Sequence, residues 1–487
     1  MAGPLHDRTT LQDGFGTVGD ANKCRDLVCV ADKHFEHPPA PRVVPMTPSQ
    51  NNRYERSMLV TPQFLTVRKG MWSPAPLERW ISSGWSKEIN PEGSPYYVNR
   101  EKRFITDTPM DDEACLQFWM ERIAAQVKEV DIDLPEDYEV FISPDATGYI
   151  CRYYFVDHMI CNVFWLEDIE PCTNELDLFP ACSEDHLSYL LQEQYWRHCE
   201  FFPHHPVRPI LRHELKQVFN QARTDLLTSS LSTFPYGATD CEQFLNILET
   251  DSENNQYSNW TAARLWATIA RHRYNTFHGE DYARISRDQK RYDKPTPQRT
   301  GAMEIGTVLL FNMPVRRAEE LDQLFIDDIA FGMHWREFAA AILKEWHDTS
   351  MLAMGLTIAN VVSALRPTNF ISASFGSMSA ILALGGLAAS ALLSQRYAGA
   401  DKFSAAAAAD HLALLEHPTF GFGHIAMIHC MPRGMVFWSM IFLAGHLLST
   451  FVTLQGIIVQ VPAMLMVLAF LTAMFKTDRI LRSGHDI

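Results

Sequence analysis

Side chains of the types that bind zinc lie close together near the middle of the sequence. They are His198, Cys199, His204, His205 and His213. A structural zinc site needs two ligand pairs at short, defined spacing that converge on the ion. Because Pro203 and Pro206 interrupt the chain inside this group, we interpret these side chains as surface and helix-end residues and keep zinc binding as the weaker alternative.

Motifs of the common enzyme classes do not occur in the sequence. There is no Walker phosphate loop, no HExxH helix, no GxSxG turn and no CxxC pair. Gly14, Gly16 and Gly19 have the spacing of a dinucleotide-binding turn, but residues 8–13 do not form the buried strand that must precede it. We therefore predict no cofactor and no enzyme activity. An enzyme stays the least favoured hypothesis, because catalytic triads are defined by geometry and not by sequence order.

Charge is divided unevenly along the chain. Seven Lys/Arg and five Asp/Glu follow residue 348, a net charge of +2, so the total of −16 leaves −18 on the first 348 residues. Nucleic-acid binding needs clustered positive charge, and we predict no nucleic-acid partner. The ten cysteines are scattered through a long chain, which indicates reduced thiols and not a disulfide framework.

A short β-rich pattern with several aromatic residues occupies residues 131–172. It opens with Leu134-Pro135-Glu136-Asp137-Tyr138, continues through Tyr154-Phe155-Val156-Asp157-His158, and has Trp165 seven residues after that histidine. This segment resembles a WW domain. The resemblance implies that Tyr154 and Trp165 form a groove for a proline ring. It also implies a neighbouring pocket lined by Val156, His158 and Cys161.

An earlier segment, residues 77–110, resembles the same family. Its matching residues are Gly84-Trp85, Glu92-Gly93 and Tyr96-Tyr97-Val98-Asn99. Asp107 stands where the family has the second tryptophan, so the resemblance implies this fold without a proline groove. We predict structural roles in the two modules for five aromatic residues: Trp85, Tyr96, Tyr97, Tyr138 and Phe155.

Two hypotheses follow for the aromatic pair Tyr154 and Trp165. An extended proline-rich segment loses little entropy when it binds between aromatic faces. Such a segment could come from a partner or from the chain's own tail, at Pro38, Pro39 and Pro41. Alternatively, neighbouring helices cover both aromatic rings and the modules are purely structural, because an exposed apolar patch needs a partner or a cover.

The rest of the first 348 residues divides into three parts. Polar residues punctuated by Gly and Pro predict a flexible tail over residues 1–57. Apolar residues at three- and four-residue steps predict a linking helix over residues 111–130 and a helical cytosolic domain over residues 183–348. The first helix predicted in that domain begins at residue 187. The others cover residues 210–226, 242–248, 262–272, 318–331 and 335–346, and the last of them leads into the membrane.

Four apolar stretches follow, each near the length needed to cross a ~30 Å hydrocarbon layer. They are residues 349–365, 370–394, 435–452 and 456–475, together the membrane region 349–475, and a short tail, 476–487, follows them. Gly386 and Ser390 are four residues apart, as are Gly385 and Ala389, a spacing that lets helices approach closely. The Ala-rich residues 403–417 predict a short helix that either lies at the membrane interface or packs as an ordinary cytosolic helix.

Lys and Arg residues flank these stretches unevenly. Eight lie on the side that also holds the long N-terminal region, and only Arg366 lies on the other side. Because positively charged flanks stay on the cytoplasmic side, we predict an integral membrane protein with cytoplasmic N- and C-termini that contacts membrane lipids.

Together these patterns predict a mainly α protein with two small WW-like antiparallel β modules, a helical cytosolic domain and a C-terminal bundle of about four transmembrane helices. This order is similar to that of uncharacterised multi-pass membrane proteins of mushroom-type (basidiomycete) fungi, a likeness that implies architecture and no chemistry. The leading hypothesis is a cytosolic protein-interaction platform that binds proline-containing segments. The alternatives are structural modules with the function in the membrane bundle, as a transporter-like or lipid-interacting protein, and an unrecognised enzyme.

Overall fold

A computed structural model describes most of the chain. The described residues are 40–51, 53–54, 59–64, 66–70, 84–109, 113–169, 176, 178–250, 255–294, 296–365 and 369–455. They form a mostly helical structure with one mixed sheet and one two-stranded hairpin. The mainly α fold class is therefore confirmed. The tail up to residue 39, the predicted span 456–475 and the tail 476–487 lie outside the described residues.

Seven strands form a single mixed sheet. They are β1 (Arg42–Pro45), β2 (Ser86–Ile89), β3 (Pro95–Asn99), β4 (Phe104–Thr106), β5 (Tyr138–Pro144), β6 (Ile150–Asp157) and β7 (Asn162–Phe164). Their order is β1-β6-β5-β4-β3-β2, and β7 pairs with β6. β1 lies parallel to the first half of β6, and β7 lies antiparallel to its second half.

The sheet contains two antiparallel meanders, β2-β3-β4 and β5-β6-β7, at the positions of the two segments that resemble WW domains. They are not separate modules, because β4 and β5 pair in parallel, with Phe104 opposite Val140 and Ile105 opposite Phe141. A meander alone would leave both of its edges unpaired, and this pairing removes one edge from each. One continuous sheet therefore replaces the two small modules that the sequence predicted.

Part of the predicted flexible tail belongs to this sheet. Residues 42–45 form β1, with Arg42 opposite Ile150. Val43 and Val44 are β-branched, which favours a strand when a partner edge is available. The tail prediction is therefore wrong for these residues, because the open edge of β6 supplies that partner.

Helices cover both faces of the sheet. The alternation of side chains along β6 places Tyr153 and Phe155 on one face and Tyr154 and Val156 on the other. The first face packs against α1 (Glu113–Val130). The second face packs against a layer made of α2 (Glu184–Phe201), α3 (Pro209–Thr228), α4 (Ala238–Thr250) and α5 (Gln256–Asn275). The five aromatic residues predicted to be structural lie in these two cores: Trp85, Tyr97, Tyr138 and Phe155 in the first and Tyr96 in the second.

The helix predicted over residues 318–331 ends early. α6 (Gly301–Leu309), which was not predicted, is followed by α7 (Met313–Leu324), and β8 (Phe325–Ile326) and β9 (Ile329–Ala330) then form a hairpin. Asp327 and Asp328 turn this hairpin with positive φ angles of 53° and 63°, a conformation that Asp adopts more readily than most residues. The turn is fixed by a buried ion pair between Asp327 and Arg284.

The last part of the structure consists of α8 (Gly332–Ala364), α9 (Phe370–Arg396), α10 (Ala405–Leu415) and α11 (Gly423–Gln455). Two helical segments are long and apolar enough to cross a membrane, Phe370–Lys402 and Gly423–Thr450. They contain the second predicted span and nearly all of the third. The prediction of four spans is not confirmed. Residues 349–365 are only the C-terminal half of α8, a short apolar run that begins directly after the charged Asp348. Residues 456–475 lie outside the described residues.

The small residues of α9 allow it to pack closely against α11. Gly386 and Ser390 are buried in this contact. A Cβ on Gly386 would lie 3.2 Å from the Pro432 carbonyl oxygen and 3.0 Å from a methyl of Val436. α10 buries Ala408 and Leu412 in the core shared with α8, which favours the packed-helix interpretation of residues 405–415.

Candidate metal centre

Three metal-ligand side chains from distant parts of the chain meet between the sheet and α2. One ligand atom each from Glu139, His158 and His198 lies within 4.8 Å of the other two. Glu139 Oε2 is 3.1 Å from His158 Nε2 and 3.6 Å from His198 Nε2. Among the described residues, none of these three buried atoms has a hydrogen-bond partner.

Glu139 reaches the cluster because of its register in β5. It lies opposite Val156 of β6, and side chains alternate along a strand. Glu139 therefore shares its face with Phe141, a core residue of the face that packs against α2. A carboxylate thus occupies a position where the strand pattern calls for an apolar residue.

His158 is held by the tight turn between β6 and β7. Asp157 Oδ1 accepts hydrogen bonds from the backbone N–H groups of Met159 and Ile160, at 2.8 and 3.3 Å. The backbone N–H of His158 donates to the Asp137 carbonyl at 2.9 Å. These bonds fix the backbone on both sides of His158, so that its ring continues the α2-facing row of Tyr154 and Val156.

His198 is presented by α2. The helix begins after Ser183, whose hydroxyl accepts from the His186 N–H, the usual way to satisfy a free donor at a helix start. Tyr195 and His198 are three residues apart and therefore lie on the same side of the helix. Pro203 follows the helix end, and the chain then turns so that His204 comes within hydrogen-bond distance of Glu139.

Partner groups orient each of the three ligands. His158 Nδ1 is 3.2 Å from the Tyr195 hydroxyl, and His198 Nδ1 is 3.1 Å from the Tyr154 hydroxyl. With the ring proton on Nδ1 donated to tyrosine, the Nε2 lone pair of each histidine points into the cluster. His204 Nε2 donates to Glu139 Oε1 at 2.8 Å, so that Oε2 is the carboxylate oxygen that faces the two histidines. Such outer contacts orient metal ligands in proteins and fix their tautomers.

The cluster is closed toward solvent. The His205 ring stacks on the His158 ring with centroids 3.7 Å apart and planes inclined by 5°, and His205 Nε2 is 3.4 Å from Asp137 Oδ2. The side chains of His158 and His198 are 0% and 1% exposed, and that of Glu139 is 13% exposed. Any occupant of the cluster is therefore held in the core of the protein.

Burial and charge set the protonation of the ligands. Burial alone would raise the pKa of Glu139, but His204 and the facing imidazoles of His158 and His198 outweigh it and hold that pKa well below its usual value. Burial lowers the pKa of His198 to about 4. At neutral pH the cluster thus contains an ionised carboxylate and a neutral imidazole at His198, the states in which these groups bind metals.

The ligand set and the two distances from Glu139 Oε2 fit a divalent transition metal. Two imidazoles and one carboxylate are the protein ligands of many catalytic zinc sites and of non-haem iron sites. Ligand atoms about 2.0–2.2 Å from a tetrahedral ion lie about 3.4 Å from one another. The two distances from Glu139 Oε2, 3.1 and 3.6 Å, fall on either side of this value.

The structure brings together only some of the residues that the sequence offered for zinc. His198 is a ligand candidate, and His204 and His205 adjoin the cluster. Cys199 is buried without being part of it, and His213 is exposed, with its Nε2 3.0 Å from the Gln217 amide. Glu139 was missed. The available signal was a charged residue on the core face of a predicted strand.

The proline groove predicted from the WW resemblance is closed. Tyr154 is fully buried and its hydroxyl faces His198. The Trp165 indole donates to the Met46 carbonyl at 2.9 Å. The predicted neighbouring pocket is filled as well, because Val156, His158 and Cys161 are 0%, 2% and 7% exposed. The reason is that α2 covers this face of the sheet and the chain's own segment after β1 covers Trp165.

Of the three tail prolines offered as a ligand for the groove, the structure describes Pro41. Pro41 directly precedes β1, whose first N–H, that of Arg42, donates to the Tyr149 carbonyl. Pro38 and Pro39 lie outside the described residues. The described contact of the N-terminal segment with Trp165 is made at Met46.

No protein-family model, curated protein or solved structure matches the chain. The sheet with helices on both faces, the buried cluster of two histidines and a glutamate, and the two apolar helices that follow are therefore the features from which a function can be argued.

Proposed function

We propose that this chain is a membrane-anchored metal-binding protein in which Glu139, His158 and His198 hold one zinc ion. The observation that carries the proposal is the meeting of three buried ligand atoms that face one another and lack hydrogen-bond partners among the described residues. A single divalent cation between them would satisfy all three.

An empty cluster of buried ligand atoms destabilises the folded protein. A buried polar atom without a partner costs about 1–3 kcal/mol, so the cluster without an occupant costs about 3–9 kcal/mol on the same scale. This is a large part of the ~5–15 kcal/mol that stabilises a typical folded protein. A bound ion turns this cost into a stabilising contribution, because binding free energy adds to folding free energy when the site exists only in the folded state.

The position of the cluster favours a structural role for the ion. Its ligands come from β5, from the turn after β6 and from α2, three segments that are far apart in the sequence. A metal would therefore fix α2 on the sheet. Three protein ligands leave a fourth coordination position, which is also typical of catalytic zinc, but the stacked His205 ring and the surrounding core close the cluster to a substrate.

Metal content of the purified full-length protein tests this proposal. Protein prepared without chelators should carry one equivalent of zinc, and absorption at the zinc edge should show nitrogen and oxygen ligands and no sulfur at ~2.3 Å. Glu139→Gln and His198→Gln should each lose the metal. His213→Gln is the matched control, because His213 is exposed and outside the cluster, and it should retain the full equivalent.

Absence of stoichiometric metal from the wild-type protein would overturn the proposal and leave a proton shared between Glu139 and the histidines as the occupant. Metal that persists in both cluster variants would show that it binds elsewhere in the chain.

We further propose that the N-terminal region is cytoplasmic. The Trp335 indole, near the start of α8, donates to the Ala400 carbonyl, just beyond α9. The connection after α9 therefore lies beside the start of α8. This supports a topology in which the C-terminal part of α8 crosses the membrane and α9 crosses it back. The last residue of α9, Arg396, and Lys402 of this connection are positively charged, and such charges resist translocation. An N-terminal epitope should be digested by protease added outside sealed microsomes, and its protection would contradict this orientation.

A further inference from the structure

A large cleft opens where the predicted membrane region meets the rest of the protein. Its volume is about 1240 Å³, above the ~300–1000 Å³ of typical small-molecule sites. It is lined by α7, α8 and α11 and by the turn before α7. Along α11 the lining changes from the charged Arg433 to the apolar Phe437, Met440 and Ile441, so the cleft is polar at one end and apolar at the other.

The charged residue pairs near this cleft lie at the same height along α7, α8 and α11, which we call the charged level. Glu345 of α8 pairs with Arg433 of α11 at 3.5 Å and with Arg317 of α7 at 2.5 Å. Beyond this level, α8 carries one more acidic residue, Asp348, and α11 carries no Asp, Glu, Lys or Arg up to its end at Gln455. The apolar end of the cleft therefore lies on the hydrocarbon side of the charged level.

α6 exposes apolar side chains close to the same level. Ile305, Val308 and Leu309 are 65%, 69% and 51% exposed, and their spacing places them on one side of the helix. The Leu309 carbonyl accepts from the Trp438 indole of α11 at 2.8 Å. The exposed apolar surface of α6 thus continues that of α11 just beyond Arg433.

The polar end of the cleft has a small excess of positive charge. Its lining includes four arginines and three glutamates, and burial lowers the pKa of His334, so that this residue adds no charge at neutral pH. Among the described residues, the Arg316 side chain is 85% exposed and pairs with Glu320 on its own helix, a type of pair that contributes little. The Arg433 side chain is 48% exposed, and its partner Glu345 lies closer to Arg317, at 2.5 Å, than to Arg433, at 3.5 Å. Both guanidinium groups can therefore turn to an anion.

We propose that this cleft binds one anionic phospholipid, with the phosphodiester on Arg316 and Arg433 and the acyl chains along Phe437 and Ile441. Guanidinium groups match phosphate oxygens in a planar, two-bond geometry. A soluble phosphate would fill the charged end and leave the apolar end bare, whereas a lipid covers both. The surface of α6 beside the cleft lies in the membrane interface.

Native mass spectrometry of the full-length protein in detergent tests the lipid site. With added phosphatidylglycerol, the wild-type protein should retain one lipid, and phosphatidylcholine and glycerophosphate should not displace it. The double variant Arg316→Gln/Arg433→Gln should bind that lipid at least about tenfold more weakly. Arg396→Gln is the matched control, because Arg396 is an exposed arginine at the end of α9 outside the cleft, and its affinity should equal that of the wild type.

Equal loss in the control and the double variant, or displacement by glycerophosphate, would overturn the proposal. A second measurement does not depend on the arginines. A photoreactive residue at Val308, in protein reconstituted into bilayers, should cross-link to lipid, whereas the same residue at the exposed Glu242 of α4 should not. Cross-linking at neither position would show that α6 is not in the interface.

This inference rests on the membrane location proposed above, and the two can fail separately. Alkaline carbonate extracts proteins that do not span the membrane. Extraction of the chain would remove the basis of both statements, whereas a chain that resists extraction but retains no lipid would refute only the cleft site.

Discussion

Removal of the proposed zinc ion should loosen α2 from the sheet while leaving α9 and α11 unchanged. The ion would connect His198 of α2 to Glu139 and His158 of the sheet. After chelation a proton can satisfy one pair of these atoms, which leaves one buried atom without a partner at a cost of about 1–3 kcal/mol. The expected loss of local stability is therefore about 1–3 kcal/mol, which corresponds to an increase of about 5- to 100-fold in the equilibrium constant for opening.

Hydrogen exchange of the full-length protein in detergent, followed by mass spectrometry, measures this opening element by element. After treatment with a chelator, amides of α2 and of the turn after β6 should exchange about 5- to 100-fold faster. Amides of α9 are the internal control, because the main packing partners of α9 are α8 and α11. Glu139→Gln should exchange fast with or without the chelator, and His213→Gln should behave like the wild type.

Two results would refute this reasoning. If the chelator does not change exchange in α2, the cluster is stable without a metal. If exchange in α9 increases as much as in α2, the chelator acts on the whole protein and not through the cluster.

Three further outcomes follow from the contacts described above. Tyr154→Phe removes the hydroxyl that orients His198 and should lower the zinc affinity about 10–100-fold, measured by competition with a chromogenic chelator. Gly386→Val should destabilise the contact of α9 with α11 by about 1–3 kcal/mol through overpacking, measured by thermal unfolding, whereas Gly355→Val, where no atom lies within 4 Å of an added Cβ, should not. A labelled proline-rich peptide should show no saturable change in fluorescence anisotropy with the folded chain, because Tyr154 is buried and the Trp165 indole is hydrogen-bonded to the chain's own backbone. Saturable binding would show that α2 or the segment at Met46 moves away from these rings.

Local sequence patterns account for most of the elements but not for how they join. The meander strands and α1 to α5 follow from alternation, helical periodicity and turn residues, which act over a few positions. The parallel pair of β4 and β5 could not be predicted, because it joins Phe104 to Val140 across the whole of α1. The helix predicted over residues 318–331 is wrong at the hairpin after α7, because Asp327 and Asp328 tolerate the left-handed conformation that turns need.

The candidate site shows the same division. His198 was found among residues of metal-binding type, and His158 through the WW resemblance, but the sequence contains nothing that joins these two histidines. They meet because α2 packs on the face of the sheet to which the turn after β6 points. Glu139 could have been found, since it lies on the core face of β5 with Phe141, and a carboxylate at such a position requires a partner.

A second buried carboxylate in the same chain shows what Glu139 lacks. Both oxygens of Asp327 have partners: one accepts from Arg284 and from the Arg291 N–H at 2.7 Å, and the other from the Tyr292 N–H at 3.3 Å. Its charge is therefore matched by protein groups, as a buried charge must be.

Glu139 Oε1 accepts from His204, but Oε2 faces two imidazole nitrogens and has no hydrogen bond to any residue that the structure describes. A cation at that point would balance the buried charge of Glu139, as Arg284 balances that of Asp327. Unlike a guanidinium, a metal ion also accepts the lone pairs of His158 and His198, and a proton can satisfy only one pair of these atoms at a time. A metal ion is thus the occupant that completes all three.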